Sequence, residues 1–235
     1  MHYASFFISP QDLWTAIGSA PAFDPVVRDL ARQCSPVLRD DARSFVGVLT
    51  FAGRRIVAKS FHEQDRRLTA RLLSLVRESR AFRTLRAMAA LAAGGVSAPV
   101  GLLALERRRC GMVAESWLFY AHVEGKPAGA ADVPAILALL ARLHALGWVH
   151  GDPHIQNFLM VDGDACMLDP GPHRNRWGKI GEWYDVVLLR RSRPDLADVV
   201  PIDRSSMAFR AAEAYDRWVH DWRRLKRTVR SWFGP

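Results

Sequence analysis

Residues 150–170 read HGDPHIQNFLMVDGDACMLDP, and this stretch restricts the possible folds more than any other. Two short apolar runs, NFLMV and ACMLD, flank Asp162-Gly163, a dipeptide suited to the positive φ angles of a two-residue hairpin turn. A hairpin brings its two ends together. Asn157, at the mouth of the first strand, and Asp169, at the exit of the second, are therefore expected to point into one space. Asp152 precedes Pro153, which pushes it out of the α region and into an extended loop beside that space. Two carboxylates and an amide oxygen around one cavity suit a hard divalent cation such as Mg²⁺. With Asn157 and Asp169 on the metal, Asp152 is left to accept a hydroxyl proton, the arrangement phosphoryl transfer needs. Asp162 and Asp164 flank Gly163 and read as structural; His154 reads either as a substrate contact or as a cap of the loop, and His150 receives no role. A turn with capping aspartates is the bland alternative, and the D-x4-N pair followed by D-P-G after an apolar strand is hard to obtain that way.

The rest of the chain supplies a frame for this hairpin. Residues 44–61, SFVGVLTFAGRRIVAKSF, read as an earlier β-hairpin about Ala52-Gly53. From 68 to 92 apolar residues recur at three- and four-residue spacings, which predicts one helix, stopped by Gly94-Gly95. Pro99 introduces a strand, VGLLALE; RRRCG is a turn; ESWLFYAHVEG is a further strand ending at Gly125. Asp132 reads as an N-cap, with Pro134 in the first turn of a helix running through Leu146 to a Gly147 C-cap. Helices resume near Glu182. The first forty residues are mixed, broken by Pro10, Pro21, Pro25 and Pro36. The order predicts a two-lobed α+β chain: a β-rich N-lobe over 1–120 and a mainly helical C-lobe over 121–235, with a junction at 120–125.

Charge narrows the partners. The net charge of +9 and pI of about 10.2 suggest an anionic one: nucleic acid, phospholipid or a phosphorylated substrate. No recognised nucleic-acid-binding pattern is present. Only four of the 33 basic residues are lysines, so Lys59, inside an apolar strand pattern, carries unusual information. Near the C-terminus Tyr215, Trp218, Trp222, Leu225, Val229 and Trp232 form one helical stripe beside Arg217, Arg223, Arg224, Lys226, Arg227 and Arg230. The first half of that stripe is expected to dock on the protein and the last turns to contact an anionic membrane surface. The longest uncharged apolar stretch, near 133–141, is too short to span a bilayer. With no signal-peptide pattern, the expected location is cytoplasmic, peripheral on the inner face of the membrane. Three cysteines without a CxxC pair read as reduced thiols.

HGDPHIQN resembles the catalytic loop of the protein-kinase-like superfamily, and LDPG resembles its metal-binding aspartate motif with proline in place of phenylalanine. More closely, HGDPHIQNFLM resembles the GDPH-x-x-NF loop of the bacterial lipopolysaccharide core heptose kinases, a group allied to the Kdo and heptose I kinases. The likeness extends from the hairpin before Lys59 to the end of the chain. It implies an ATP- and Mg²⁺-dependent kinase acting on a heptose hydroxyl of a lipid-linked core oligosaccharide. It implies Asp152 as catalytic base, Asn157 and Asp169 as metal ligands, and Lys59 as the lysine on the α- and β-phosphates. Glu78 is the candidate to orient Lys59, with Glu115 a distant second. Asp185 resembles the aspartate that braces the catalytic loop from the following helix, and adenine is expected against residues 120–125, between the lobes.

Several features depart from the pattern. SFVGVLTFAG has Gly47 and Gly53 but no GxGxxG phosphate loop. The segment after Asp169 is short and has no APE-like end. It carries Arg174, Arg176 and Lys179, suited to a phosphorylated or acidic sugar. A compact atypical protein kinase is one rival, disfavoured by that short segment. A non-catalytic kinase-like binding module is another, disfavoured by the presence together of Lys59, Asp152, Asn157 and Asp169.

Overall fold

A computed structural model describes residues 2–5, 32–51, 53–62, 68–169 and 173–232. Ala52, Pro170, Gly171 and most of the first thirty-one residues lie outside the described residues, as do the side chains of Arg223, Arg227, Val229, Arg230 and Trp232. The chain forms two compact units, Met1–Glu124 and Gly125–Pro235.

The first unit is built on a six-stranded antiparallel sheet. Its strands are β1 (His2–Ser5), β2 (Val37–Asp40), β3 (Phe45–Phe51), β4 (Arg54–Ser60), β5 (Gly101–Arg109) and β6 (Met112–Ala121). Their order across the sheet is β1-β5-β6-β4-β3-β2. Alternation along the strands gives the sheet two apolar faces. Ile56, Ala58, Leu103, Leu105, Trp117 and Phe119 pack on one face with Phe45 and Cys34. Ala104 and Leu118 lie on the other, covered by Phe82, Leu85 and Met88 of a helix, α2 (Arg80–Ala93).

The sequence predicts one helix over 68–92, and the structure corrects this to two: α1 (Leu68–Leu73) and α2. Ser74 Oγ donates to Arg71 O (2.5 Å) and accepts from Val113 N–H (2.8 Å), turning the chain out of α1 and tying it to β6. Ser79 then starts α2 afresh, its Oγ accepting from Phe82 N–H (3.3 Å). Leu68, Leu72 and Leu75, which supplied the first half of the periodic pattern, are exposed. The strand after Pro99 runs to Arg109, so the RRRCG turn shortens to Cys110-Gly111, both at positive φ (50° and 75°). β6 stops at Ala121, ahead of the expected Gly125.

The second unit contains β7 (Lys126–Pro127), α3 (Val133–Ala145), β8 (Trp148–Val149), β9 (Phe158–Val161), β10 (Asp164–Met167), β11 (His173–Arg174), α4 (Lys179–Arg191) and α5 (Met207–Trp232). Two small antiparallel sheets, β10-β9-β7 and β11-β8, lie around α3 in sequence. Gly125 permits the first of these, because a Cβ there would stand 2.7 Å from Met160 O on β9. α3 buries Val133, Ile136, Leu139, Leu140 and Leu143. Asp132 flanks α3 without capping it; its carboxylate accepts from Gly129 N–H (2.8 Å). Gly147 leaves the helix at φ 75°, as a C-terminal glycine does. α5 docks on α4 through Phe209 and Ala212, which meet Val187 and Trp183, and an Asp216–Arg191 ion pair joins the two helices. Among the described residues no helix is long and apolar enough to cross a membrane.

Candidate active site

The loop between β8 and β9 is held by a single buried carboxylate. Asp185, on α4 and fully buried, accepts hydrogen bonds from His150 N–H (2.7 Å), Gly151 N–H (2.8 Å) and the His144 ring at Nε2 (2.9 Å). Gly151 makes the turn at φ 79°. Two residues on from His150, Asp152 N–H donates to His150 Nδ1 (3.3 Å), and Asp152 O accepts from His154 N–H (2.8 Å) and Asn157 Nδ2 (3.0 Å). Ser192, at the end of α4, accepts from Ile155 N–H (3.2 Å). The backbone of Asp152 is thus fixed from several directions while the residue itself is exposed. A carboxylate so mounted is free to meet a substrate.

The hairpin forms in the expected register. Phe158 pairs with Met167 and Val161 with Asp164, about a turn in which Asp162 and Gly163 take φ 50° and 90°. Beyond the strands Asn157 O accepts from Leu168 N–H (2.7 Å), so Asn157 and Asp169 both lie at the open end. Asn157 Nδ2 is used on Asp152 O, which leaves Asn157 Oδ1 as the atom for a ligand. An amide oxygen and a carboxylate are oxygen-only donors, a set that fits Mg²⁺. Among the described residues no cluster of three or more His, Cys, Asp or Glu suggests a metal site elsewhere.

His150, unassigned in the sequence, is a positioning group. It is buried, and its Nδ1 accepts a hydrogen bond, which places the ring proton on Nε2. Burial pushes its pKa below the ordinary value, against the opposite pull of Asp185, Asp169 and Asp152. His154 caps the short helical turn that follows, accepting from Gln156 N–H (3.3 Å). His144 and Ser192 were missed: neither lies within a motif, and their partners are 41 and 37 residues distant.

Lys59 belongs to the first unit. Its register partners are Val46 and Leu118, so it lies on the sheet face that α2 covers, half-buried in an interior strand. Its ammonium stands 5.4 Å from the Phe61 ring centroid. Glu78 is not within a helix, contrary to the sequence reading; it lies in the link between α1 and α2 and pairs with Arg86 (2.7 Å). Glu115 is a β6 residue engaged by Arg107 (3.1 Å) and the Trp117 indole (2.9 Å). The glycines of SFVGVLTFAG have other work. Gly47 is pressed against Cys34, where a Cβ would lie 2.6 Å from the Cys34 Cβ, and Gly53 turns the β3–β4 hairpin at φ 72°. Of the three basic residues after Asp169, Arg174 stacks on Trp148 (4.5 Å), Lys179 pairs with Glu182 (2.8 Å), and Arg176 is exposed.

A six-stranded antiparallel sheet backed by one helix, followed by a mainly helical unit with a braced loop and metal-suited hairpin, is an α+β, protein-kinase-like fold. The solved structure of WaaP in complex with acyl carrier protein shares it, with a TM-score of 0.55, 16% sequence identity, and coverage of 90% of this chain and 88% of that one. The likeness is one of fold. No protein-family model and no curated protein matches the chain by sequence.

Proposed function

We propose that the chain is an ATP- and Mg²⁺-dependent kinase that phosphorylates a heptose hydroxyl of a lipid-linked lipopolysaccharide core oligosaccharide. The observation that carries the reading is the clamp of Asp185 on His150 and Gly151, which mounts the exposed Asp152 on a fixed loop. The fold shared with WaaP, a lipopolysaccharide core heptose kinase, supports the choice of acceptor. In this reading Asp152 orients the acceptor hydroxyl and takes its proton as the oxygen bonds to the γ-phosphorus of ATP and the bond to the ADP oxygen breaks. Asn157 Oδ1 and Asp169 hold Mg²⁺, which when bound neutralises charge on the phosphates. Lys59 contacts the α- and β-phosphates as a compact point charge. Glu78, the residue expected to orient it, pairs with Arg86 instead (2.7 Å).

A peripheral place on the membrane is part of this reading, and α5 supports it. Trp218, Trp222 and Leu225 are exposed, and Lys226 lies over the Trp222 ring (5.1 Å). Aromatic rings with cations beside them suit the interface of an anionic leaflet, where a lipid-linked acceptor is found.

Asp152→Asn tests the reaction. The residue is exposed, so the variant is expected to fold, and transfer from ATP to purified core glycolipid is expected to fall by about 10²- to 10⁴-fold. Mass spectrometry of the glycolipid reads the added phosphate. Equal phosphate from both forms would sink the proposal, and transfer to a protein pool instead would favour the protein-kinase rival.

A further inference from the structure

The first unit carries a cavity of about 220 Å³ that the proposed reaction does not use. That is smaller than the roughly 300–1,000 Å³ of sites for drug-sized ligands. Its polar lining is Arg71, Ser74, Arg77, Glu78, Ser79, Arg80 and Arg83. Four guanidinium groups thus face one carboxylate, and Glu78 is already paired with Arg86 (2.7 Å). Among the described residues no carboxylate forms an ion pair with Arg71, Arg77, Arg80 or Arg83. Arg71 Nε is buried with no hydrogen-bond partner. Burial, with Arg80 and Arg77 close by, holds the Arg83 pKa below its ordinary value despite Glu78. The amino end of α2, a 14-residue helix, adds its positive dipole end at Ser79 and Arg80. Arg80 is held over the Phe61 ring (5.2 Å), the same ring that Lys59 approaches.

Arg71 and Arg80 are half-buried and Arg77 and Arg83 exposed, so four like charges line an open pocket whose field attracts an anion. We propose that this cavity binds a phosphate dianion, free or as the end group of a phosphorylated molecule, through Arg71, Arg77 and Arg83 at the amino end of α2. Guanidinium forks match phosphate oxygens in shape and charge. The size of the cavity suits a phosphate group. The proposal stands on the first unit's own geometry and is independent of the kinase reading.

The test is calorimetric titration of the full chain with inorganic phosphate at constant ionic strength. The wild type is expected to bind saturably at one site. Arg71→Gln combined with Arg83→Gln is expected to weaken binding about tenfold or more. Arg210→Gln combined with Arg217→Gln, an equal loss of charge on α5, is expected to leave it unchanged. No saturable binding by the wild type, or equal weakening in both double variants, overturns the proposal. Arg77→Gln, whose backbone contacts are kept, serves if the first double variant melts early in phosphate-free buffer. Titration in saturating ATP distinguishes the source: displacement assigns the site to a nucleotide phosphate, persistence to a separate phosphorylated ligand, and both support it. Asp152→Asn is expected to bind phosphate like the wild type, so failure of transfer and failure of this site are read separately.

Discussion

At the residue scale, His150 shows how a buried ring makes stability depend on pH. Its imidazole is pushed below its ordinary pKa by burial, and its neutral Nδ1 accepts the Asp152 N–H. As pH falls through about 6.5, the unfolded chain takes up the proton and the folded chain resists it. The stability present above that pH is therefore lost progressively toward the lower folded pKa. His122, also lowered by burial, acts in the same direction. His150→Asn, which offers an oxygen in place of Nδ1, is expected to flatten this loss. Urea denaturation of both proteins between pH 5 and 7.5 measures it, and identical slopes would refute the role given to His150. The placement of Asp152 on the loop and of Asn157 and Asp169 at the open end of the hairpin is legible because loop and hairpin are continuous in sequence. His144 was not, since nothing local marks a helix histidine whose partner lies 41 residues on.

At the scale of elements, turns were easier to read than helix ends. Asp162-Gly163 closes its hairpin because both residues reach positive φ, a property of the residues themselves. The break between α1 and α2 was hidden because apolar spacing continues through it, although Leu72 and Leu75 face solvent. Ser74 ends α1 through a contact with Val113, which no local pattern announces. Gly47 was read beside a weak phosphate loop, yet its close neighbour is Cys34. A methyl group there is overpacked against Cys34, so Gly47→Ala is expected to destabilise by about 1–3 kcal/mol. Adding Cys34→Gly removes the clashing atom and should recover part of that loss in the double-mutant cycle. Urea unfolding gives each free energy; an additive cycle would reject the contact.

At the scale of the molecule, the +9 charge meets the exposed half of α5. The sequence predicts that the first half of the periodic stripe docks on the protein and the last turns face a membrane, and the structure places the change earlier, at Trp218. Phe209, Ala212 and Asp216 are buried against the protein, whereas Trp218 is 59% and Trp222 46% exposed. Periodicity does not fix where the change falls, because both halves repeat every three or four residues. The rings of Tyr215, Trp218 and Trp222 stack in sequence at 5.9 and 6.4 Å. The protein is expected to sediment with vesicles containing anionic lipid, less so at 0.5 M salt than at about 0.1 M because screening shortens the reach of its charge. Trp218→Ser with Trp222→Ser should reduce that binding severalfold; unchanged sedimentation would remove the membrane role of α5.

The Asp185 clamp also sets an order in time. The loop that presents Asp152 leaves the ribosome 34 to 35 residues ahead of the carboxylate that fixes it. At ordinary translation rates that is a delay of roughly 2 to 7 seconds. A nascent chain halted before α4 carries the whole HGDPHIQN motif without the geometry that gives it meaning, so the site is completed only when α4 has been synthesised and folded.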